Sequence, residues 1–120
     1  MMPARNKQLE NGGMTLPVPI EAYFAADRRD DADGVLQVFG IDALVRDEGR
    51  TYRGCQAIEA WWRASKARYQ HVAEPLDWSE ERGEYRVRAN VTGTFPGSPA
   101  VLTFAFRLEH GWIRQLEVGA

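Results

Sequence analysis

The chemistry available to this chain rests on a handful of side chains, with Asp47 foremost. It closes a short alternating segment, Ile41 to Asp47, and shares a face with Ala43 and Val45. A carboxylate among apolar neighbours loses hydration, which raises its pKa and makes it a stronger base. Such a base removes a proton α to a carbonyl, or from water. The competing reading is a cap on the bend at Glu48-Gly49. Tyr23 falls on one helical face with Ile20, Phe24 and Asp27, where its phenol could donate a hydrogen bond to a developing oxyanion. The alternative is a core ring whose hydroxyl meets the pocket rim or a backbone carbonyl. Arg114 alternates with Trp112, Leu116 and Val118. On a concave face it would pair with Asp47 or hold an anionic substrate group; on a twisted edge its long stem carries the charge to solvent.

The remaining reactive side chains do not assemble into a metal or nucleophile pattern. His71, His110 and Cys55 lack recognised ligand spacings, so no metal is expected. Cys55 opens a helix, where the dipole lowers a thiol pKa, but no base lies near it in sequence. His71 could face an interior from its strand, and His110 sits in an exposed Glu-His-Gly-Trp turn. Asp30, Asp31 and Asp33 read as a helix cap and not as a calcium loop. No glycine-rich phosphate loop is present, so no cofactor is expected.

Thirteen aromatics in 120 residues are enough to fill a small core or wall a pocket. Phe39, Tyr52, Trp61, Trp62, Phe104, Phe106 and Trp112 are the candidate lining, suited to a flat hydrophobic organic ligand. Tyr69 is a further rim candidate.

Elements must position these groups. Apolar spacing predicts helices over about 17–29, 32–39 and 55–67. Strands follow from alternation over 41–47, 69–79, 84–95, 101–109 and 112–118. The outcome is an α+β fold: three N-terminal helices packed on a strongly curved antiparallel sheet, forming a cone with an internal pocket. Residues 1–13 read as a disordered or loosely ordered tail, and 14–120 as one domain. Seventeen acids against fifteen bases give a net charge of −2, which disfavours nucleic acid. No apolar run is long enough for a membrane span, and a single cysteine fits a cytoplasmic protein.

Three segments give a resemblance. They are Tyr23-Phe-Ala-Ala-Asp-Arg-Arg-Asp-Asp-Ala-Asp-Gly-Val-Leu-Gln-Val-Phe39, Asp42-Ala-Leu-Val-Arg-Asp47 and Tyr52-Arg-Gly-Cys-Gln-Ala-Ile-Glu-Ala-Trp-Trp62. Over roughly residues 16–118 the chain resembles the nuclear transport factor two superfamily (the cystatin-like cone), in its SnoaL-like polyketide cyclase and ketosteroid isomerase branch. The resemblance places Tyr23 at an isomerase's oxyanion-hole tyrosine and Asp47 at its general base. Phe104 stands where the protonated aspartic acid would complete that hole, so efficient steroid isomerisation is not expected. The resemblance further implies a homodimer through the convex sheet face. That face carries Arg86, Arg88, Asn90, Thr92, Thr94, Thr103, Ala105 and Arg107. Two function classes fit such a cone. One is a cofactor-independent enzyme doing isomerisation, cyclisation or hydration with Asp47 as base. The other is a non-catalytic ligand-binding or dimerisation module.

Overall fold

The computed structural model describes residues 5–8 and 15–120. In chain order the elements are β1 (Arg5–Gln8), α1 (Val18–Arg28), α2 (Ala32–Leu36), β2 (Phe39–Asp47), β3 (Arg50–Arg53) and α3 (Cys55–Tyr69). They continue with β4 (Val72–Glu81), β5 (Glu84–Thr92), β6 (Ala100–Glu109) and β7 (Trp112–Gly119). The strands form one curved sheet in the order β1-β4-β5-β6-β7-β2-β3. Every pairing is antiparallel except β2 with β7. The three helices cover the concave face, which is the α+β cone that the alternation predicted. Among the described residues no helix is long and apolar enough to cross a membrane.

The core is the shared apolar face of these elements. Ile20 and Phe24 of α1, Ile58 of α3, and Val45, Phe106 and Leu116 of the sheet are each at most 1% exposed. Tyr23 meets Phe24, Phe106 and Phe39 edge to face at centroid separations of 5.3, 5.7 and 6.0 Å. Such contacts fix the ring planes as well as bury area. Asp31 caps α2 by accepting from the Gly34 N–H at 3.0 Å, as the acidic run before that helix suggested.

Several boundaries differ from the sequence expectation. The second helix stops at Leu36 instead of continuing to 39, because the Val38 carbonyl accepts from Ile113 N–H at 2.8 Å and Phe39 pairs beside Ile113. Val38 and Phe39 are β-branched and aromatic, and the sheet outbids another helical turn. Residues 50–53, for which no strand was expected, form β3. Glu48 and Gly49 take φ values of 53° and 76°, the pair of positive angles a two-residue hairpin needs. Arg82-Gly83 and His110-Gly111 turn the sheet in the same way. Arg5–Gln8, within the stretch expected to be a loose tail, pairs antiparallel with Asp77–Glu80. An open strand edge recruits backbone without needing apolar periodicity. The rest of residues 1–13 lies outside the described residues.

The consequential difference is in β7. Leu108 pairs with Ile113 and Arg107 with Gln115, so Arg114 has no partner on β6 and the strand bulges there. Phase inverts across the bulge. Ile113 and Leu116 are both fully buried, while Trp112 is 51% exposed and Arg114 is exposed.

Candidate active site

The cone holds a cavity of about 540 Å³, open at one end, whose polar groups converge from four elements. Tyr23 enters from the middle of α1, Asp47 from the end of β2, Trp61 from α3, and His71 from the residue before β4. Leu102 and Phe104 of β6 and Val118 of β7 supply apolar floor. Phe104 is held by Phe24, edge to face at 5.2 Å.

Asp47 keeps the inward register of Ala43 and Val45, and it is half-buried. The indole Nε1–H of Trp61 donates to its Oδ2 at 2.9 Å. Burial pushes the carboxyl above its ordinary value, and the neighbouring Glu48 charge adds to this. The Trp61 bond and nearby His71 oppose the rise without cancelling it. Asp47 is therefore a carboxylate with one side-chain bond and enhanced basicity. Both alternatives for it are answered by geometry: it faces the cavity, and its carboxyl is bonded to Trp61 while also meeting the Glu48 backbone.

Tyr23 is 2% exposed, with its ring in the core and its side chain on the cavity wall. Burial raises its pKa well above the ordinary phenol value, and the charges of Asp27 and Asp47 raise it further. The phenol stays protonated at any physiological pH. Among the described residues its hydroxyl has no hydrogen-bond partner, which leaves it available to a ligand oxygen.

A second carboxylate lies behind the wall. Asp27, 1% exposed, accepts from Trp62 Nε1–H at 2.9 Å. Its Oδ1 also lies 3.4 Å from Lys66 Nζ and 3.5 Å from His71 Nε2. Burial alone would raise its pKa. The hydrogen bond and charge of His71, the Lys66 charge and the Trp62 bond outweigh burial and hold it below the ordinary carboxylate range. Lys66 Nζ also donates to the His71 carbonyl at 2.6 Å, pinning this segment to α3. The end of α3 is fixed from the other side by Thr94 N–H, which donates to the Tyr69 carbonyl at 2.7 Å. A Cβ at residue 93 would sit 2.6 Å from that carbonyl, so Gly93 is what permits the approach. At the exposed end, Tyr69 hydroxyl donates to Glu48 Oε2 at 3.2 Å across the rim.

The expected lining therefore divides. Tyr23, Asp47, Trp61 and Phe104 line the cavity. Trp62 does not, because its indole turns to Asp27. Tyr52 packs behind Trp61, with ring centroids 6.3 Å apart. Phe106 is wholly buried, and Phe39 supports the Tyr23 ring from below. Trp112 and Arg114 were expected on the concave face, but the β7 bulge places them on an outer crevice with Phe39, Ile41, Asp42 and Arg53. Sequence reasoning gave too little weight to His71 and read Asp27 only as a helix-face residue. The available signal was Asp27 on the same α1 face as Tyr23, with Trp62 and Lys66 one turn apart on α3. Among the described residues no group of three or more His, Cys, Asp or Glu is placed to hold a metal ion.

No family model matches the sequence, and no protein of curated function does. Solved structures do match. A candidate polyketide cyclase from Sinorhizobium meliloti is 43% identical, with a TM-score of 0.83 over 86% of this chain and 94% of that one. A cystatin-fold protein from Novosphingobium aromaticivorans is 23% identical, with a TM-score of 0.72 over 90% of this chain and all of that one. A protein of ketosteroid isomerase-like fold from Catenulispora acidiphila, solved in complex with trimethylamine, is 18% identical, with a TM-score of 0.76 over 88% and 87%.

Proposed function

The chain belongs to the SnoaL-like, nuclear transport factor two-like superfamily, and from that premise we propose that it is a cofactor-independent enzyme of proton transfer on a hydrophobic organic substrate. Asp47 is the general base. The observation that carries this reading is a carboxylate of raised pKa on the wall of a largely apolar cavity that also holds an uncommitted phenol. A ketone in the cavity places its carbonyl oxygen at Tyr23 and its α carbon at Asp47. Asp47 takes the α proton, the C–H electron pair moves toward the carbonyl, and Tyr23 hydrogen-bonds the enolate oxygen without surrendering its own proton. Return of the proton to another carbon gives isomerisation. Attack of the enolate carbon on a second carbonyl gives cyclisation.

Phe104 supplies no donor where a second oxyanion donor would help, and loss of one such donor costs about 10²–10³ in rate. Steroid isomerisation is accordingly negligible in this reading. A purely ligand-binding module would be favoured by a cone closed by Trp61, Trp62 and Phe104; the cavity stays open. The test is hydrogen–deuterium exchange at the α carbon of a panel of aryl ketones. Exchange catalysed by the protein and lost in Asp47→Asn supports the enzyme. Saturable binding with no exchange supports the module.

We also propose a two-fold dimer through the convex sheet face. Arg88 there is spent on a bidentate pair with Asp77 at 2.9 and 2.6 Å, and Arg86 on Glu84 at 2.9 Å, which leaves Thr92, Thr103 and Ala105 as uncharged positions of that face; Thr94, expected there, lies beyond β5 and donates its hydroxyl to the Arg68 and Tyr69 carbonyls instead. An interface of standard size buries about 1,600 Å². A monomer by sedimentation at tens of micromolar would remove the dimer.

A further inference from the structure

We propose that the hydrophobic ketones taken by this cavity carry a cationic end, an ammonium group held at the mouth by the Glu48 carboxylate beside the rings of Tyr69 and Phe95. The inference rests on the proton-transfer reading of the same cavity for the reacting end, and adds what holds the other end. Two carboxylates, Asp47 and Glu48, line the cavity, and among the described residues no lysine or arginine does. The basic side chains nearby are turned elsewhere. Lys66 Nζ lies 3.4 Å from Asp27 and donates to the His71 carbonyl. Arg68 lies over the Tyr69 ring at 5.0 Å, outside the lining. Arg46 and Arg50 flank the Glu48 turn in sequence, and among the described residues neither pairs with it. Glu48 is bonded only by the Tyr69 hydroxyl, so its charge has no ion-pair partner among the described residues.

Two consecutive carboxylates on one cavity break the rule of the strand. Successive side chains of a strand point to opposite faces, so the residue after an inward Asp47 belongs outside. Glu48 comes back to the cavity because its backbone is left-handed, with φ 53°. A turn of this kind favours asparagine, aspartate or glycine at that position, and a glutamate is strained there. Its charge also lies near enough to Asp47 to raise that carboxyl, so the two anions repel. Neither turn geometry nor charge balance favours a glutamate at residue 48. A cationic ligand supplies the missing countercharge and gives the strained placement a task.

The mouth is built for such a group. Tyr69 hydroxyl donates to Glu48 Oε2 at 3.2 Å, which orients the carboxylate and leaves Oε1 for a ligand. Tyr69 and Phe95 meet edge to face with centroids 6.0 Å apart, and a cation within about 6 Å of such a ring is drawn to its face. Thr94 N–H, donating to the Tyr69 carbonyl at 2.7 Å, fixes the residue beside Phe95 to the end of α3. At the other end, the Tyr23 hydroxyl lies on the cavity wall, 2% exposed and without a partner among the described residues. Exposure rises from Tyr23 through half-buried Asp47 to exposed Glu48. A ligand in that order puts its carbonyl oxygen on the buried phenol, its α carbon at the base and its cation at the mouth. Leu102 and Phe104 cover its apolar middle. An anionic substrate would meet two carboxylates and no lysine or arginine, so the same lining rejects it.

The experiment uses three aryl ketones of one skeleton, ending beyond an alkyl spacer in a trimethylammonium, a tert-butyl or a carboxylate group. The first two are isosteric, and the quaternary cation does not titrate. Exchange at the α carbon is read as kcat/KM relative to the uncatalysed rate of each ketone. The cationic ketone is expected to exceed the tert-butyl ketone by about tenfold, from one ion pair and one cation–π contact, with the carboxylate poorest. Added salt should shrink that ratio. Glu48→Gln keeps an acceptor for Tyr69 and removes the charge, and the ratio should fall to about twofold. Glu48→Asn, a residue suited to a positive φ, serves if the glutamine variant fails to fold. A wild-type ratio near one overturns the proposal, as does a ratio that survives loss of the Glu48 charge. Titration calorimetry with the same ketones separates this from the base reading. Tighter binding of the cation that depends on Glu48, with no exchange of any ketone, upholds the inference and removes the base. Exchange lost in Asp47→Asn with no preference for the cation does the reverse.

Discussion

Asp27 and Asp47 stand on opposite sides of one cavity wall, and their surroundings send them in opposite directions. Asp27 gathers an indole, an ammonium and an imidazole on one oxygen, and its pKa falls. Asp47 has a single side-chain donor, and its pKa rises. Burial penalises both charges, so depth alone does not separate them. The number and charge of the donors does. Asp27, 1% exposed and not part of the cavity lining, serves as an anchor joining α1, α3 and the start of β4. Asp47, on the cavity wall with one side-chain donor, retains basicity. The same sequence element, an aspartate on an otherwise apolar face, becomes scaffold or reagent according to what faces it.

The comparison breaks most visibly at Asp47. Asp47→Asn is nearly isosteric and keeps an acceptor for Trp61. Turnover should fall at least about 10²-fold, the lower bound for removing one general base. Stability should move the other way. A carboxyl whose folded pKa is raised destabilises the fold once pH exceeds its unfolded value, and the penalty is complete above the folded value. The variant should therefore match or exceed the wild-type melting temperature at neutral pH. Its advantage should shrink as pH drops through the carboxylate range. An asparagine variant with full activity would end the assignment.

Asp27 should show the reverse pattern. Asp27→Ala strands Trp62, Lys66 and His71 donors, and removing one partner of a buried pair costs about 3–5 kcal/mol. Lys66 retains some access to water, so the lower end, about 3 kcal/mol, is expected by chemical denaturation. Because the folded pKa of Asp27 is depressed, its contribution is fully present above the unfolded value. It is lost as pH falls through the folded one. The gap between wild type and Asp27→Asn should thus close toward acid, where the gap for Asp47→Asn also closes but from the opposite sign. Two variants that track each other in sign would show that the two sites are not distinct.

Trp61→Phe sharpens the contrast by making Asp47 lonelier. The ring still stacks near Tyr52, and only the N–H is lost. The carboxyl is then even less stabilised as an anion, so the acid limb of any pH–rate profile should move to higher pH. At the foot of that limb the rate should drop about tenfold, the worth of one hydrogen bond to a charged acceptor. A profile unchanged in position would mean that Trp61 does not govern Asp47 protonation.

How much of this was readable beforehand follows from which forces are local. Alternation along β5 and β6 exposes the sheet directly, because a strand with one covered face must alternate. The inward register of Asp47 is legible for the same reason, two residues at a time from Ala43. The β3 hairpin was not, because Glu48-Gly49 is a poor imitation of the usual turn pair and only the positive φ at Glu48 reveals it. The Asp27 cluster was only hinted at, by Trp62 and Lys66 one turn apart on α3, for a different reason. Its members lie up to forty-four residues apart in sequence, from 27 to 71, and no spacing rule spans three elements. The β7 bulge is another non-local event, set by pairing with two neighbours at once.

That bulge supplies the smallest expected effect. Uninterrupted alternation would set Arg114 beside Leu116 on the cavity face, where it would neutralise Asp47 and depress its pKa. The structure instead leaves Arg114 exposed, on the outer crevice, with no ion pair among the described residues. Asp47 is raised, and no arginine figures among its causes. The two observations agree, since a guanidinium within reach would have pulled the carboxyl down. Arg114→Ala should therefore leave α-proton exchange within about twofold of wild type, and stability within about 0.5 kcal/mol, as for exposed residues without partners. Its pH–rate profile should overlay the wild type. An acid limb that climbs in Arg114→Ala would mean the side chain does reach Asp47, and that β7 continues its alternation through residue 114 in solution.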